Sequence, residues 1–371
     1  MKVLILETFM TGSHKLWVEG YGANSKLDVE VLSLPGHFWK WRMHGGAITL
    51  AEYYMQLPCD PDVIIASDMV DLTTFQSLTR KRTAKIPFIT YFHENQITYP
   101  WSRADKDVQL KRDHHYGFIN FTTALASDEI WFNSQFHMNA FFPALENFLR
   151  KFPDYRQSSS IEALRKKSAV HYLGLDIKML QNGLQNKNKE TRNCPVILWN
   201  HRWENDKNPE LFFETLFRLK NENVSFKLVV LGESFNDVPS IFTEAKQKLE
   251  SHIVHWGFCE SRTEYIKWIK QCDLIPVTSF QDNFGVSIME AVCTGILPIL
   301  PNRLSYPELY KEIVGEQFYD NDPHSFYLLL KKNLADWHQK NNKKISLSLL
   351  DKYDWSNMAL EYDNRLKELA K

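Results

Sequence analysis

Two acidic residues, Asp282 and Glu290, stand with seven residues between them in TSFQDNFGVSIMEAVCTGILPILP, residues 278–301. Carboxylates accept hydrogen bonds from hydroxyl groups. The Asn283-Phe284-Gly285 step between them opens a helical pattern, and the first amides and positive dipole end of a helix favour an anion. Hydroxyl acceptors on both sides of an anion site suit a sugar nucleotide. A helix cap and a solvated face would account for the same acids if they stood alone. They do not: HRWENDKNPE, residues 201–210, carries Arg202 and Lys207. Arg supplies a planar fork of donors and Lys a compact charge, so both can converge on a diphosphate without a metal.

These side chains need elements to hold them. LIPV (274–277) and ILPIL (296–300) read as strands on either side of a loop and a helix. That helix has apolar Phe284, Ile288, Ala291 and Val292 and ends at Gly295. PVILWN (195–200) and LFFETLFRLK (211–220) read as the strand and helix flanking the Arg–Lys loop. Near the start, KVLILE (2–7) reads as a strand, followed by a loop with Gly12 and Ser13 and a helix from about His14. GHFWKWRMHGGA (36–47) reads as a turn-rich loop before a helix over 48–57. DVIIASD (62–68), IPFITYFHENQITYP (86–100) and EIWFNS (129–134) are further strands ending in polar residues. Ligands of open α/β sheets bind outside the carboxyl ends of the strands, where Asp68, His93, Glu94 and Asn95 fall. The polar stretch 181–194 reads as a linker between a first domain over 1–180 and a second over 195–352, with residues 353–371 as a terminal helix. Strands alternating with helices on both sides imply two parallel sheets.

A chain of 371 residues can bury two cores. Its net charge of −1 creates no overall field for nucleic acid, so any basic surface must be local. Five scattered cysteines with no Cys-x-x-Cys suggest neither a zinc ribbon nor a disulfide framework. The apolar N-terminal run is short for a signal peptide, and no segment is long enough to cross a membrane. A soluble, cytoplasmic protein is expected.

The Arg-x4-Lys loop and the acidic pair around the Phe-Gly step resemble the donor site of retaining glycosyltransferases of the two-Rossmann-domain type, family 4. That family normally has Glu at both ends of the second motif; here the first is Asp282. LETFMTGSHKLW, LPGHFWKWRMHGGA, ASDMVDL, YFHENQITYP, HHYGFINF and FNSQFHMNAFF resemble, in that order, the N-terminal domain of the tRNA-queuosine mannosyltransferases over about residues 4–155. The resemblance implies two Rossmann-like α/β domains facing across a cleft (the GT-B type), with the last helix crossing back onto the first domain. It implies transfer of mannose from GDP-mannose to the queuosine nucleoside in the anticodon of tRNA for aspartate, with no metal and no membrane partner. It further implies that Arg202 and Lys207 neutralise the diphosphate, with Gly12, Ser13, Asn283, Phe284 and Gly285 lining the donor. Glu290 would accept from the ribose, Asp282 from the hexose, and His93 would contact the sugar near its anomeric centre. The acceptor RNA would meet Trp39, Trp41, Arg42, Tyr99, Trp101, Arg103, Lys106, Lys111, Arg112, His114 and His115, beside Asp68, Glu94 and Asn95. A lipid or small-molecule acceptor, or a protein that binds a sugar nucleotide or RNA without catalysis, remains open at this point.

Overall fold

Short apolar runs bounded by polar turns fold as parallel strands in both halves of the chain. The computed structural model describes residues 1–101, 105–110, 114–182, 192–234, 238–337 and 345–371. Residues cluster into two units, Met1–Leu175 with Tyr353–Lys371, and Asp176–Lys352.

The first unit holds six strands: β1 (Lys2–Met10), β2 (Asp28–Pro35), β3 (Val63–Ser67), β4 (Phe88–Phe92), β5 (Glu129–Phe132) and β6 (Ser168–Val170). They pair in parallel in the order β2-β1-β3-β4-β5-β6. Its helices are α1 (Gly12–Asn24), α2 (Trp39–Met55), α3 (Leu72–Thr83), α4 (Lys106–Gln109), α5 (His114–Ala126), α6 (Gln135–Leu149) and α7 (Ser158–Lys166). β3, β4 and β5 are buried along their whole length, so they read as continuous apolar runs without alternation. The glycine pair 45–46 suggests a loop over 36–47, but α2 begins at Trp39. A Cβ on Gly46 would lie 2.6 Å from Thr8 Cγ2. The glycine allows a helix to press against β1; it does not turn the chain.

The second unit holds β7 (Val196–Asn200), β8 (Lys227–Leu231), β9 (Ile253–Trp256), β10 (Leu274–Pro276), β11 (Leu297–Pro301) and β12 (Phe318–Tyr319). Their order is β12-β11-β10-β7-β8-β9. Helices α8 (Ile177–Gln181), α9 (Pro209–Asn221), α10 (Ile241–Lys248), α11 (Arg262–Gln271), α12 (Val286–Cys293), α13 (Tyr306–Val314) and α14 (Pro323–Ala335) accompany them. Trp199 packs against Phe212, Phe213 and Phe242 in the core. The chain passes between units at Leu175, not within 181–194. Ile177 and Leu180 of α8 are buried, and Arg192 holds Asp273 at 2.9 Å, so both ends of the polar stretch belong to the second unit.

The last helix, α15 (Trp355–Leu369), belongs to the first unit. Leu175 N–H donates to Tyr353 O at 2.8 Å and Trp355 N–H to Leu175 O at 2.9 Å. Asp363 of α15 is buried. It accepts from Tyr21 Oη at 2.9 Å, Ser25 Oγ at 2.6 Å and Lys26 N at 2.8 Å. Arg365 forks onto both oxygens of buried Glu129 at 3.0 and 2.9 Å. Asp363→Ala would strand three donors and should cost about 2–4 kcal/mol. Chemical denaturation checks this; unchanged stability would mean that the Arg365–Glu129 pair and the apolar face hold α15 without Asp363.

Candidate active site

In the second unit the two charged motifs form one structure beyond the carboxyl ends of β7 and β10. Lys207 closes a short 3-10 turn, Asn205–Lys207, and α9 follows with Asn208 as its cap and Pro209 in its first turn. Lys207 is buried. Its ammonium donates to Gln281 O at 2.7 Å and lies 3.1 Å from Asp206 and 3.6 Å from Asp282. Burial opposes its charge, but Asp282 and Asp206 outweigh that and hold the pKa above the ordinary lysine value. Phe280 N–H donates to Asp206 O at 2.7 Å, and Thr278 Oγ1 donates to Lys207 O at 2.9 Å. The 201–210 loop and the 278–285 loop are thereby stitched through both backbone and charge.

Arg202 and Lys207 differ in exposure, although both charges act on Glu204. The guanidinium of Arg202 is exposed and pairs with Glu204 at 3.1 Å, whereas the ammonium of Lys207 is enclosed between two carboxylates. Of the two cations, Arg202 is the one presented outward. His201, between β7 and this loop, is buried, and burial with the nearby Lys207 charge depresses its pKa to about 3. Trp203 stacks on Phe242 at 4.5 Å and fixes the loop from its other side.

Asp282 accepts from Tyr306 Oη at 2.8 Å. Asn283 and Phe284 are buried, and Gly285 starts α12 with φ +76° and no side-chain cap. Glu290, one turn into α12 and buried, pairs with Arg262 of α11 and accepts from Tyr265 Oη at 2.7 Å. Tyr265 Oη in turn accepts from Asn200 Nδ2 at 2.8 Å. Opposite charge beside Glu290 raises the Arg262 pKa against the effect of burial. Tyr306, Arg262, Tyr265 and Asp206 escaped the sequence reading. Only Asp206 sits inside a motif; Arg262 and Tyr265 arrive on α11 and Tyr306 on α13.

In the first unit a polar cluster gathers at the carboxyl ends of β1, β3 and β4. Gly12, with φ +52° and nothing within 4 Å of a built Cβ, and Ser13 begin α1, which has no side-chain cap. His14 Nδ1 meets Glu7 Oε2 at 2.8 Å. The His14 and His93 rings face each other at 4.2 Å, and Trp17 stands edge-on to His93 at 5.2 Å. His93 is buried; burial, then His14 and His137, drive its pKa well below the ordinary value.

Three of the expected acceptor residues, Asp68, Asn95 and Trp39, are buried or half-buried. Asp68 is 1% exposed and spends Oδ1 on the His93 amide at 2.8 Å; burial pushes its pKa up to about 8. Asn95 is 1% exposed. Its Oδ1 accepts from Ile97 N at 3.1 Å and Thr98 N at 2.8 Å, and its Nδ2 lies 2.8 Å from His137 Nε2. Both residues shape the loop after β4 and offer little to a surface ligand. Trp39 is half-buried, tilted against Trp101 at 5.6 Å and Tyr116 at 5.1 Å. Lys40, the cation beside it, is taken by Asp105 at 2.7 Å and Asp107 at 2.6 Å. Trp41 is 62% and Phe38 78% exposed. Arg42 Nε donates to Pro35 O at 3.1 Å, and Glu94 accepts from Gln96 at 3.1 Å. His44 and His115 stack at 4.9 Å. Tyr99 and Trp101 are partly covered, and Lys106 and His114 are exposed. Arg103, Lys111 and Arg112 lie outside the described residues.

Glu7, His14 and His93 each offer an atom within 4.8 Å of the others, close enough to consider a metal. The first two are already engaged with each other. Among the described residues, no helix is long and apolar enough to cross a membrane.

Solved structures with this fold include the Anabaena protein HepE in complex with UDP (TM-score 0.67, 16% identity, 99% of this chain and 100% of that one). The sucrose-phosphate synthase of Thermosynechococcus elongatus is similar (TM-score 0.71, 13% identity, 100% and 99% covered). The fold is therefore that of the GT-B glycosyltransferases. Residues 182–346 match the family described as "Glycosyl transferases group 1". Residues 2–175 match "tRNA-queuosine alpha-mannosyltransferase N-terminal". A Drosophila melanogaster tRNA-queuosine alpha-mannosyltransferase is 36% identical over 317 residues, covering 83% of this chain and 81% of that protein. The chain belongs to the tRNA-queuosine α-mannosyltransferase family and is a glycosyltransferase.

Proposed function

We propose that the protein transfers mannose from GDP-mannose to the queuosine nucleoside in the anticodon of tRNA for aspartate, as a retaining, cytoplasmic, metal-independent enzyme. The observation that supports the donor half is the joining of the two motifs by Lys207, which lies between Asp206 of one and Asp282 of the other. Arg202 and Lys207 stabilise the diphosphate as it leaves, Glu290 accepts from the ribose hydroxyls, and Asp282 accepts from the hexose. The acceptor hydroxyl attacks from the face the phosphate leaves; the C–O bond to phosphate breaks as the new one forms, and the departing phosphate takes the proton. A pair of carboxylates for double displacement is not needed. Membership of a family named for queuosine mannosylation supports the acceptor half. Incubating the protein with tRNA, with or without queuosine, and a panel of labelled sugar nucleotides tests the whole. Label should enter queuosine-containing tRNA from GDP-mannose; entry from another donor, or into tRNA lacking queuosine, would overturn the reading.

The exposed aromatics near the start of α2 give a second expected result. One base–aromatic contact is worth about 1–3 kcal/mol. Trp41→Ala should therefore weaken tRNA binding by roughly ten- to a hundredfold, with donor binding unchanged. Because Lys40 is neutralised by Asp105 and Asp107, Lys40→Ala should leave the salt dependence of RNA binding nearly flat against wild type. Filter binding across salt concentrations measures both.

A further inference from the structure

We infer that Glu7 and His14 are positioning residues for His93: the pair holds a fixed imidazolium against the His93 ring, so that His93 meets the donor sugar as a neutral, immobile hydrogen-bonding group. This rests on the proposed function, with His93 contacting the donor sugar as the family resemblance implies.

Glu7 lies on β1 with no solvent exposure. A carboxylate sealed in a sheet persists only when its lone pairs are met, and three donors meet it. Its Oε1 accepts from Phe9 N at 2.8 Å and Ser67 Oγ at 3.0 Å, and its Oε2 faces His14 Nδ1 at 2.8 Å. His14 is buried as well and lies over His93 with 34° between the rings. His93 is clamped at both ends of its backbone, by Asp68 Oδ1 at 2.8 Å and by Asn133 Nδ2 on its carbonyl at 2.9 Å. Tyr91 closes the remaining side edge-on at 4.7 Å. A ring so confined cannot turn away from a neighbouring charge.

Two imidazoles 4.2 Å apart do not both carry protons readily, and Glu7 decides which one does. The groups facing His14 are Glu7, Asp68 and Glu94, and those facing His93 are His14 and His137. Burial alone would strip the His14 proton, but Glu7, helped by Asp68 and Glu94, holds its pKa at about 9. His137, buried in α6, stays neutral, its pKa depressed to about 3. The charge is thus fixed on His14 at neutral pH. Because the folded pKa of His14 lies above its ordinary value of 6.5, the pair stabilises fully below about pH 6.5. That stability is lost as pH rises through about 9.

The test combines imidazole titration by NMR with the pH profile of kcat in wild type, Glu7→Gln and Glu7→Asp. One imidazole in the wild type should titrate near pH 9, and kcat should fall with the same midpoint. Glu7→Gln should move both midpoints down by more than one pH unit and lower kcat about tenfold or more, with KM for the donor within twofold. Glu7→Asp should restore both. If Glu7→Gln does not fold, His14→Asn carries the test, and its alkaline limb should vanish. A Glu7→Gln profile identical to wild type would overturn the inference. So would a rate lowered equally at every pH with the His14 midpoint unmoved, the mark of a merely structural role. If the wild type transfers no mannose, the functional reading fails, and the titration alone decides whether the two rings are coupled.

Discussion

Replacing Lys207 by alanine should lower mannosyl transfer by about 10²–10³-fold, the usual consequence of removing one preorganised group that faces developing charge. The same change should destabilise the second unit by about 3–5 kcal/mol, because it leaves two half-buried acids without their cation. Asp206 and Asp282 lie 3.1 and 3.6 Å from that ammonium. Single-turnover rates and urea denaturation measure the two effects. They separate in the double variant Lys207→Met with Asp206→Asn, which removes one charge of each sign: stability should largely return while the rate stays low. A rate that recovers along with stability would reduce Lys207 to a staple between the loops.

Glu290→Gln should weaken GDP binding by about ten- to a hundredfold, since a hydrogen bond to a charged acceptor is worth about 1.5–3 kcal/mol and about 1.4 kcal/mol is a factor of ten. Asp282→Asn should lower the rate and leave GDP affinity nearly unchanged. Calorimetry with GDP reads both. The geometry sharpens the expectation, because Glu290 already holds Arg262 and Tyr265. A ribose hydroxyl must join or replace those partners, so Arg262→Ala should strengthen or preserve GDP binding and not abolish it. If affinity instead collapses in Asp282→Asn and survives in Glu290→Gln, the two acids exchange roles.

What the sequence determined by itself is what local chemistry and short-range periodicity encode. Short continuous apolar runs such as VILWN and ITYF, bounded by polar turns, read as strands covered on both faces, so most of both parallel sheets was legible. The Phe-Gly step between Asp282 and Glu290 marked the start of α12, and the Arg–Lys spacing marked the loop before α9. The weak strands were not legible: β6 has three residues and β12 two, too few for any period to show. Nor was the helix hidden behind Gly45 and Gly46, because a glycine that admits a neighbouring strand looks the same in sequence as one that turns the chain.

Everything that depends on a distant partner was left to the tertiary structure. Lys207 reads as a free cation until strand order places the 278–285 loop against it, more than 70 residues away in sequence. Asp68 and Asn95 read as surface polar residues until β3, β4 and α6 enclose them and turn their side chains to backbone amides and His137. Trp39 reads as an exposed stacking residue until Trp101 and Tyr116 pack against it. Glu7 looks like the polar end of an ordinary strand, yet burial and one imidazole make it the group that sets the charge next to His93. Residue types state which interactions are available. Only the order of strands in the sheet, which brings remote loops to one edge, decides which of them are made.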